Sequence, residues 1–268
     1  MFNTPKIMDH PHPFTSGVTD YMELNVIYRS CTRVHSVHAG SRPCDASKLQ
    51  VVLVCLYSLL RSCPENAIVH VLDDHSLPDD VERIQQLLAE FGERHNFISI
   101  DDTGNGQSME ATYDYARHHQ FELVYFCEDD YLHLEGAIPS MLGFYNNFDG
   151  DCIVFPTDYI DRYLNGALYQ SYIHLGEDRH WRTIRHTTGT FMISGVHIKK
   201  YWKLLNKFAA FNKSSSGGEN QTINKIYTKE TCVSPIPSLA AHFSPEPAMS
   251  PFNDWEALFL SMKKKLGL

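Results

Sequence analysis

The sequence predicts an α/β fold whose central sheet is mostly parallel. Over the first half of the chain, segments typical of strands alternate with segments typical of helices, which favours right-handed βαβ crossovers. Polar and acidic residues stand at the ends of three of those strands, where ligands of such sheets bind. With 268 residues, 43% of them hydrophobic, the chain can bury one large core, or one core with a smaller lobe.

Apolar runs and their boundary residues define the elements of the first half. The predicted strands cover 24–31, 67–72, 97–100 and 123–127, and the helices between them cover 46–62, 78–91 and 108–119. Asp45 is the expected N-cap of the first helix, Cys63-Pro64 ends that helix, and Pro78 opens the second. Residues 1–22 show no periodicity and are expected to form an N-terminal arm.

The second half of the chain is less regular. It is predicted to contain strands at 152–155 and 190–194 and helices at 196–211, 219–227 and 255–266. We expect one domain with two parts, residues 23–150 and residues 151–268.

An acidic triplet follows the fourth predicted strand. Glu128, Asp129 and Asp130 come directly after an apolar run that reads as a buried strand. Neighbouring carboxylates repel one another and are costly to desolvate, so their clustering at the end of a core strand favours a bound cation. Mg²⁺ and Mn²⁺ prefer oxygen ligands, and Mg²⁺ is typically held by one or two carboxylates plus substrate phosphates. A solvated acidic turn is the alternative interpretation.

Two other strand ends carry polar residues as well. The first strand ends in Tyr28-Arg29-Ser30, and the second ends in Asp73-Asp74. Because the carboxyl ends of parallel strands meet at one edge of a sheet, these residues are expected to lie near the triplet.

Composition excludes several classes of partner. The formal net charge of −9 argues against nucleic acid as the main partner. The seven cysteines form no CxxC pattern and leave one over in any pairing, which favours reduced thiols and a cytoplasmic location. No signal peptide is visible, and the longest apolar run, residues 51–60, is too short to cross a bilayer, so no transmembrane segment is expected.

Three motifs occur in an order that is familiar from one superfamily. They are Val71-Leu72-Asp73-Asp74-His75-Ser76, the Asn105-Gly106 loop, and the acidic triplet. This order, from Leu24 to about Leu142, resembles nucleotide-sugar glycosyltransferases of the GT-A fold, in which inverting family 2 enzymes show "VDDGS", then "N-x-G", then "DxD". The chain departs from that pattern in two places, because Asn105-Gly106 lacks the spacing residue and His75 stands where the family has Gly.

The resemblance implies roles for the acidic residues in a donor site. Asp130 would bind Mn²⁺ or Mg²⁺, which bridges the two phosphates of the donor. Glu128 and Asp129 would face the ribose and the nucleotide. Asp73 or Asp74 would contact the nucleobase or the ribose, although one of these two acids is expected only to cap a turn.

Other residues are candidates for the same donor site. Tyr28 and Ser30 would line the base pocket, with packing in the core as the alternative for Tyr28. Arg33, in the loop after the first strand, is a candidate for contact with the donor phosphates. Asn105 belongs to the loop that the resemblance assigns to donor binding.

Two later residues match roles that the superfamily fills near the C-terminus. Glu219, at the start of a predicted helix, is comparable to the catalytic base of a late "ED" motif and would take a proton from the acceptor hydroxyl. The alternative is a first-turn Glu that the helix dipole favours. His242 is comparable to a late metal-binding histidine, with a hydrogen-bonded core histidine as the alternative.

The function that these observations indicate is a metal-dependent glycosyltransferase. It would move a sugar from a nucleotide-sugar donor, most simply a UDP-sugar, to a hydroxyl of a glycan or other acceptor, with inversion at the anomeric carbon. Residues 159–185, dense in aromatic and basic side chains, are the candidate acceptor site. The alternatives are a sugar-phosphate nucleotidyltransferase, disfavoured because no Gly-rich loop follows the first strand, and a non-catalytic nucleotide- or carbohydrate-binding module.

Overall fold

The computed structural model describes residues 23–33, 42–100, 104–164, 170–211, 217–243, 250 and 252–268. The predicted arm, residues 1–22, lies outside the described residues. The described strands are β1 (Leu24–Ser30), β2 (Ile68–Asp74), β3 (His95–Ile100), β4 (Leu123–Glu128), β5 (Tyr131–His133), β6 (Ile153–Val154), β7 (Ile173–Leu175), β8 (His180–Ile184), β9 (Phe191–Ser194), β10 (Cys232–Ile236) and β11 (Ala240–His242). The described helices are α1 (Lys48–Ser62), α2 (Pro78–Ala89), α3 (Asn105–His118), α4 (Ala137–Asn147), α5 (Asp161–Leu164), α6 (Gly195–Leu205), α7 (Phe208–Phe211), α8 (Gly217–Gln221), α9 (Ile223–Ile226) and α10 (Trp255–Lys265).

Nine of these strands form the central sheet, in the order β3-β2-β1-β4-β9-β6-β10-β8-β7. The first four strands pair in parallel, with β1 between β2 and β4. Beyond β4 the sheet is mixed, because β9 runs antiparallel to β4 and β6, while β6 and β10 are parallel. The predicted α/β architecture of the GT-A type is confirmed, with its parallel part in the first half of the chain.

Helix α1 begins two residues later than the sequence predicts. Its N-cap is Ser47, whose Oγ accepts a hydrogen bond from the Gln50 N–H at 3.2 Å, while the Ser47 N–H donates to Gln50 Oε1 at 3.1 Å. This is a complete capping box, in which each side chain accepts a hydrogen bond from the backbone N–H of the other residue. Asp45 instead lies in the preceding turn with a φ of 47°, so the prediction that Asp45 caps this helix is wrong.

Helix α3 also begins elsewhere than predicted. It starts at Asn105, so that Asn105 and Gly106 form its first turn instead of a loop. Gly104 precedes it with a φ of 84°, a left-handed conformation that glycine adopts without steric cost.

The second half contains elements that the sequence did not reveal. Predicted helix 196–211 is divided into α6 and α7, and β5 and β11 form a separate two-stranded antiparallel ribbon. A second buried cluster lies under this ribbon, where the ring of Phe243 stacks on that of Phe259 from α10 at 4.3 Å between centroids. The ribbon and α10 together cover one face of α1.

Among the residues that the structure describes, no helix combines the length and the apolar character that a bilayer-spanning segment requires.

Candidate functional site

The carboxyl ends of β1, β2 and β4 meet at one edge of the sheet. In the register of these strands Arg29 lies opposite Glu128, and Ser30 lies opposite Asp73. The prediction that the three polar strand ends converge is therefore confirmed. The acidic triplet is at the centre of this edge, since β4 is flanked by β1 on one side and by β9 on the other.

Glu128 is held by Arg29 of the neighbouring strand. One Glu128 oxygen accepts a hydrogen bond from the Arg29 guanidinium at 2.8 Å, and the other accepts one from the Gly189 N–H at 3.1 Å. The same guanidinium donates to Asn105 Oδ1 at 2.9 Å and to Ser108 Oγ at 3.0 Å. Burial raises the pKa of Glu128, and the Arg29 charge opposes that shift.

Asp129 is held by a different cation. Its Oδ1 lies 2.5 Å from Lys48 Nζ, and its Oδ2 accepts a hydrogen bond from the Cys31 N–H at 2.9 Å. Lys48 is the first residue of α1, where the positive end of the helix dipole disfavours a cation. The ion pair with Asp129 offsets that unfavourable position, so Lys48 joins helix α1 to the triplet.

Asp130 is paired with His242, which lies 112 residues later in the chain. Strands β5 and β11 place His242 opposite Tyr131, and the two rings stack at 5.4 Å between centroids. The His242 Nε2 lies 3.0 Å from one Asp130 oxygen, and the Phe243 N–H donates to the Asp130 carbonyl at 2.7 Å. Although burial disfavours both charges, the ion pair lowers the pKa of Asp130 and raises that of His242 to about 9.

The two acids that end β2 have different surroundings. Asp73 is 2% exposed and accepts hydrogen bonds from Ser30 Oγ at 2.8 Å, from Ser76 Oγ at 2.6 Å and from the Ser76 N–H at 3.0 Å. Asp73 therefore holds the turn after β2 together. Asp74 is 5% exposed, and its Oδ1 is buried without a hydrogen-bond partner among the described residues. An unsatisfied buried carboxylate oxygen is costly unless a ligand satisfies it.

Two of the predicted donor-site residues differ from expectation in their accessibility. The Tyr28 side chain is fully buried and its hydroxyl donates to the Val52 carbonyl at 3.0 Å, so it does not line an open pocket. Ser30 is fully buried too and serves Asp73. Both were expected to line the base pocket; the structure corrects this expectation, because inward-facing residues of a strand covered on both faces pack in the core. Arg33 is exposed, just before the undescribed residues 34–41.

Glu219 lies in the first turn of α8, and its negative charge acts on Glu128. Its carboxylate raises the pKa of Glu128, after burial and Asp130, and it also contributes to the raised pKa of Tyr113. Glu219 is therefore close enough to Glu128 for the two charges to interact. The dipole-favoured first-turn position is equally present in the structure.

The three triplet carboxylates do not gather around one point. Glu128 ends β4 whereas Asp129 and Asp130 form the turn before β5, and each carboxylate meets its own cation: Arg29, Lys48 or His242. Within the described part of the chain, no group of three His, Cys, Asp or Glu side chains is arranged to hold a metal ion. The three acids of the triplet therefore do not surround one point in the described structure.

A metal could be held by the pair that remains accessible. The side chains of Asp130 and His242 are 29% and 32% exposed, and Asp130 Oδ1 is a buried oxygen without a partner among the described residues. One carboxylate and one imidazole fit Mn²⁺ or Mg²⁺ when substrate phosphates supply further oxygens. The residues present therefore fit the ion that the resemblance implies.

Two residues of the site did not stand out in the sequence. Lys48 could have been noticed as a cation in the first turn of a helix, where acids are favoured. Gly189 gives no local signal. A Cβ at that position would lie 2.8 Å from the Glu128 Cδ and 2.2 Å from the Met109 Cε, so a larger residue would have to displace the ends of these two side chains.

The fold and the site define a class of protein before any comparison. A parallel sheet with acids and cations at the carboxyl ends of its first strands is typical of α/β nucleotide-binding proteins. The family model described as glycosyl transferase family 2 matches residues 47–206, which include β2, the triplet and Gly189. The chain belongs to this family, and the predicted resemblance to family 2 glycosyltransferases is confirmed.

Solved structures resemble the chain at low sequence identity. The crystal structure of S. aureus TarS is 13% identical, with 80% of this chain and 35% of that chain covered and a TM-score of 0.49. TarS 1-349 in complex with UDP is 14% identical, with 71% and 56% covered and a TM-score of 0.46. A structure described as a nucleotide-diphospho-sugar transferase from Desulfovibrio desulfuricans G20 is 10% identical, with 80% and 79% covered and a TM-score of 0.47.

These structural likenesses are too distant to carry an argument about activity. The chain spans about a third of the longer TarS chain and just over half of the shorter one. No curated protein sequence matches it significantly. Family membership therefore rests on the match of residues 47–206.

Proposed function

We propose that this protein is a metal-dependent glycosyltransferase that moves a sugar from a UDP-sugar to a hydroxyl of a glycan or other acceptor. The observation that supports it most is the pair of Asp130 and His242 at the carboxyl end of β4, with Asp130 Oδ1 free of any described partner. Membership of glycosyl transferase family 2 supports the reaction class.

Asp130 and His242 would hold Mn²⁺ or Mg²⁺ at this edge. When bound, the ion supplies Lewis-acid neutralisation of the charge that develops on the nucleoside diphosphate as it leaves. His242 must be neutral to be a ligand, so the ion competes with the proton that the raised pKa of about 9 keeps on the ring. Asp130 is ready for this role, because its lowered pKa keeps it ionised at neutral pH.

The cations of the site keep the remaining acids in place. Arg29 and Lys48 neutralise Glu128 and Asp129, which limits the repulsion that three adjacent carboxylates would otherwise exert on one another. Arg33 is exposed in the loop after β1 and is proposed to contact the donor phosphates, and Asn105 to orient Arg29 beside them. Asp74, with its unsatisfied Oδ1, is proposed to accept a hydrogen bond from the nucleobase or the ribose.

Glu219 is proposed as the base of an inverting reaction. It would take the proton of the acceptor hydroxyl while that oxygen attacks the anomeric carbon and the diphosphate departs. NMR of the anomeric proton in the product distinguishes the two outcomes, and retention of configuration would remove the need for a base at residue 219.

Substitution of Asp130 tests the proposed function. In isothermal titration calorimetry, Asp130→Ala should weaken Mn²⁺-dependent binding of UDP by about 10- to 100-fold, the usual range for a lost metal-site partner. The matched control is Asp114→Ala, which removes an exposed carboxylate from the last turns of α3 and should leave UDP affinity unchanged. Equal affinity of Asp130→Ala and the unsubstituted protein would refute the proposal.

Turnover separates an enzyme from a binding module. We expect release of UDP from at least one common UDP-sugar in the presence of Mn²⁺. Binding of UDP without any such release would support the non-catalytic alternative.

The cytoplasmic location stays a prediction, consistent with the seven cysteines, all of which are free thiols in the structure.

A further inference from the structure

Two aromatic rings stand together on the surface in the second half of the chain. Tyr163 is 46% exposed and Phe252 is 71% exposed, and their ring centroids are 6.3 Å apart with an angle of 80° between the ring planes. We call this pair the aromatic platform. Large apolar side chains that are exposed side by side mark interaction sites more often than isolated ones do.

The Tyr163 ring of the platform is held rigidly from below. Its hydroxyl donates to Asp158 Oδ2 at 2.5 Å, and the guanidinium of Arg182 lies 4.6 Å from the ring centroid. Arg182 also forms an ion pair with the other oxygen of Asp158, whose side chain is fully buried. A ring anchored in this way loses little conformational freedom when a ligand packs on it.

The Phe252 ring is exposed by a strained backbone. Its φ of 77° lies in the left-handed region, which a bulky residue rarely adopts because of steric strain. The chain is anchored on both sides, since Ser250 Oγ donates to the Asp158 carbonyl at 2.8 Å and the buried Trp255 donates to the Ser250 carbonyl at 2.8 Å. Strain that places an apolar ring in solvent gives the fold no stability, so its advantage must lie elsewhere.

The platform is connected to the proposed metal site through a short series of aromatic contacts. Tyr159, one helical turn before Tyr163, shares a hydrogen bond of 3.0 Å with the hydroxyl of Tyr131. The Tyr131 ring stacks on His242, which contacts Asp130. The segment that carries Tyr163 is thus joined, four residues earlier, to the edge of the sheet at which the donor is proposed to bind.

From these observations we propose that the platform of Tyr163 and Phe252 binds a pyranose ring of a carbohydrate acceptor. A pyranose presents an apolar face of C–H groups that packs on an aromatic ring, and Tyr163 and Phe252 expose two such rings side by side. The exposed rings of the platform are the evidence that a sugar binds there. That this sugar is the acceptor rests on the proposed glycosyltransferase function.

The size of the platform favours a sugar over a second protein. Two exposed rings whose centroids lie 6.3 Å apart form a small apolar surface. A stable protein–protein interface buries upward of about 1,000 Å², far more than two side chains provide. Association of two copies through this surface is therefore an outcome that the test must exclude, not the expected one.

Substitution of Phe252 by glycine should lower the affinity for oligosaccharide without lowering the stability of the fold. Phe252→Gly removes the ring and also the strain, because glycine adopts a positive φ without cost. We expect its melting temperature to equal or exceed that of the unsubstituted protein. Its affinity for an oligosaccharide, measured by saturation-transfer NMR with chitotetraose, cellotetraose and maltotetraose as probes, should fall at least 10-fold. Tyr163→Ala should show the same loss of affinity.

The matched control is Val196→Ala, since Val196 is 70% exposed on α6 and lies outside the platform. It should leave oligosaccharide binding unchanged. The inference is overturned if the unsubstituted protein binds none of the three probes, if Phe252→Gly binds them equally well, or if sedimentation shows that Phe252→Gly dissociates a dimer.

The outcome for the platform is separable from the outcome for the enzyme. The affinity for UDP with Mn²⁺, measured by calorimetry, should be the same in Phe252→Gly and in the unsubstituted protein. Among the described residues, neither Tyr163 nor Phe252 has a contact with the acidic triplet. If oligosaccharide binds and depends on Phe252 while no UDP-sugar is turned over, the platform stands and the proposed function fails. If UDP-sugar is turned over but Phe252→Gly retains the full oligosaccharide affinity, only the platform fails.

Discussion

The acids at 128–130 illustrate how neighbours in sequence can have separate tasks. Glu128 contacts Arg29 and the Gly189 amide, Asp129 contacts Lys48 and the Cys31 amide, and Asp130 contacts His242. Only the third acid retains a buried oxygen without a described partner. Charge at this edge is thus balanced by the protein itself, and the capacity to bind an additional cation is concentrated at Asp130.

Gly189 sets the position of Glu128, and its replacement should disturb the site. In Gly189→Ala the new methyl group would meet the Met109 methyl and the Glu128 carboxylate, and the overpacking should lower the free energy of unfolding by about 1–3 kcal/mol. Affinity for UDP with Mn²⁺ should fall as well, because Glu128 must move.

Gly143→Ala is the matched control for that substitution. A Cβ at Gly143, inside α4, would find its nearest neighbour at 3.9 Å, so this change should be neutral or stabilising by up to about 1 kcal/mol. Urea denaturation and calorimetry measure both properties, and a Gly189→Ala protein as stable as Gly143→Ala would contradict the steric argument.

Among the secondary-structure elements, the ribbon of β5 and β11 does most to complete the site. β5 begins directly after Asp130, and β11 returns beside it more than a hundred residues later. The pairing of Tyr131 with His242 carries the histidine to Asp130, while Leu132 and Phe243 bury the ribbon against α1 and α10. A late segment of the chain therefore supplies the residue that pairs with Asp130.

Helix α1 offers a test of how an element end supports the site. Ser47→Ala removes the capping box and should lower the free energy of unfolding by about 1 kcal/mol, and fraying of the first turn should loosen the ion pair of Lys48 with Asp129. Ser47→Asp keeps a capping oxygen and should retain most of the stability. Chemical denaturation of the two variants measures the difference, and equal stability would show that the cap contributes nothing.

Considered as one molecule, the protein should lose stability in mild acid. His133 is fully buried between the Tyr125 hydroxyl, at 2.8 Å, and the Tyr131 carbonyl, at 3.0 Å, and burial lowers its pKa to about 3. Burial also lowers the pKa of His70 to about 4. Below pH 6.5 these two histidines bind protons in the unfolded chain but stay neutral in the folded protein. Unfolding therefore becomes more favourable as pH falls.

At pH 5 the His133 contribution alone should lower the free energy of unfolding by about 2 kcal/mol relative to neutral pH. His242 has the opposite shift: its contribution to stability is complete below about pH 6.5 and declines as pH rises from there toward 9, so between pH 7 and pH 5 it offsets less than half of the His133 effect. In urea denaturation at pH 7 and pH 5, His133→Gln should show a smaller loss than the unsubstituted protein. His118→Gln, at an exposed position, should behave as the unsubstituted protein does. An identical loss in His133→Gln would count against this explanation.

Local patterns in the chain were sufficient for the alternating strands and helices of the first half, for the strand ends at one edge of the sheet, and for the family. These features depend on apolar periodicity, on capping and turn residues, and on short motifs, all of which act over a few residues. The resemblance also proposed His242 as a ligand beside Asp130, and the structure brings the two side chains to 3.0 Å.

Which cation meets which carboxylate was decided only by the tertiary structure. The ion pairs of Glu128 with Arg29 and of Asp129 with Lys48 join residues separated by 99 and 81 positions, and no local pattern encodes such a pairing. The burial of Tyr28, the approach of Gly189 to Glu128 and the meeting of Tyr163 with Phe252 depend in the same way on how distant segments pack. Side-chain direction and charge pairing follow from strand register and packing, which exist only once the chain has folded.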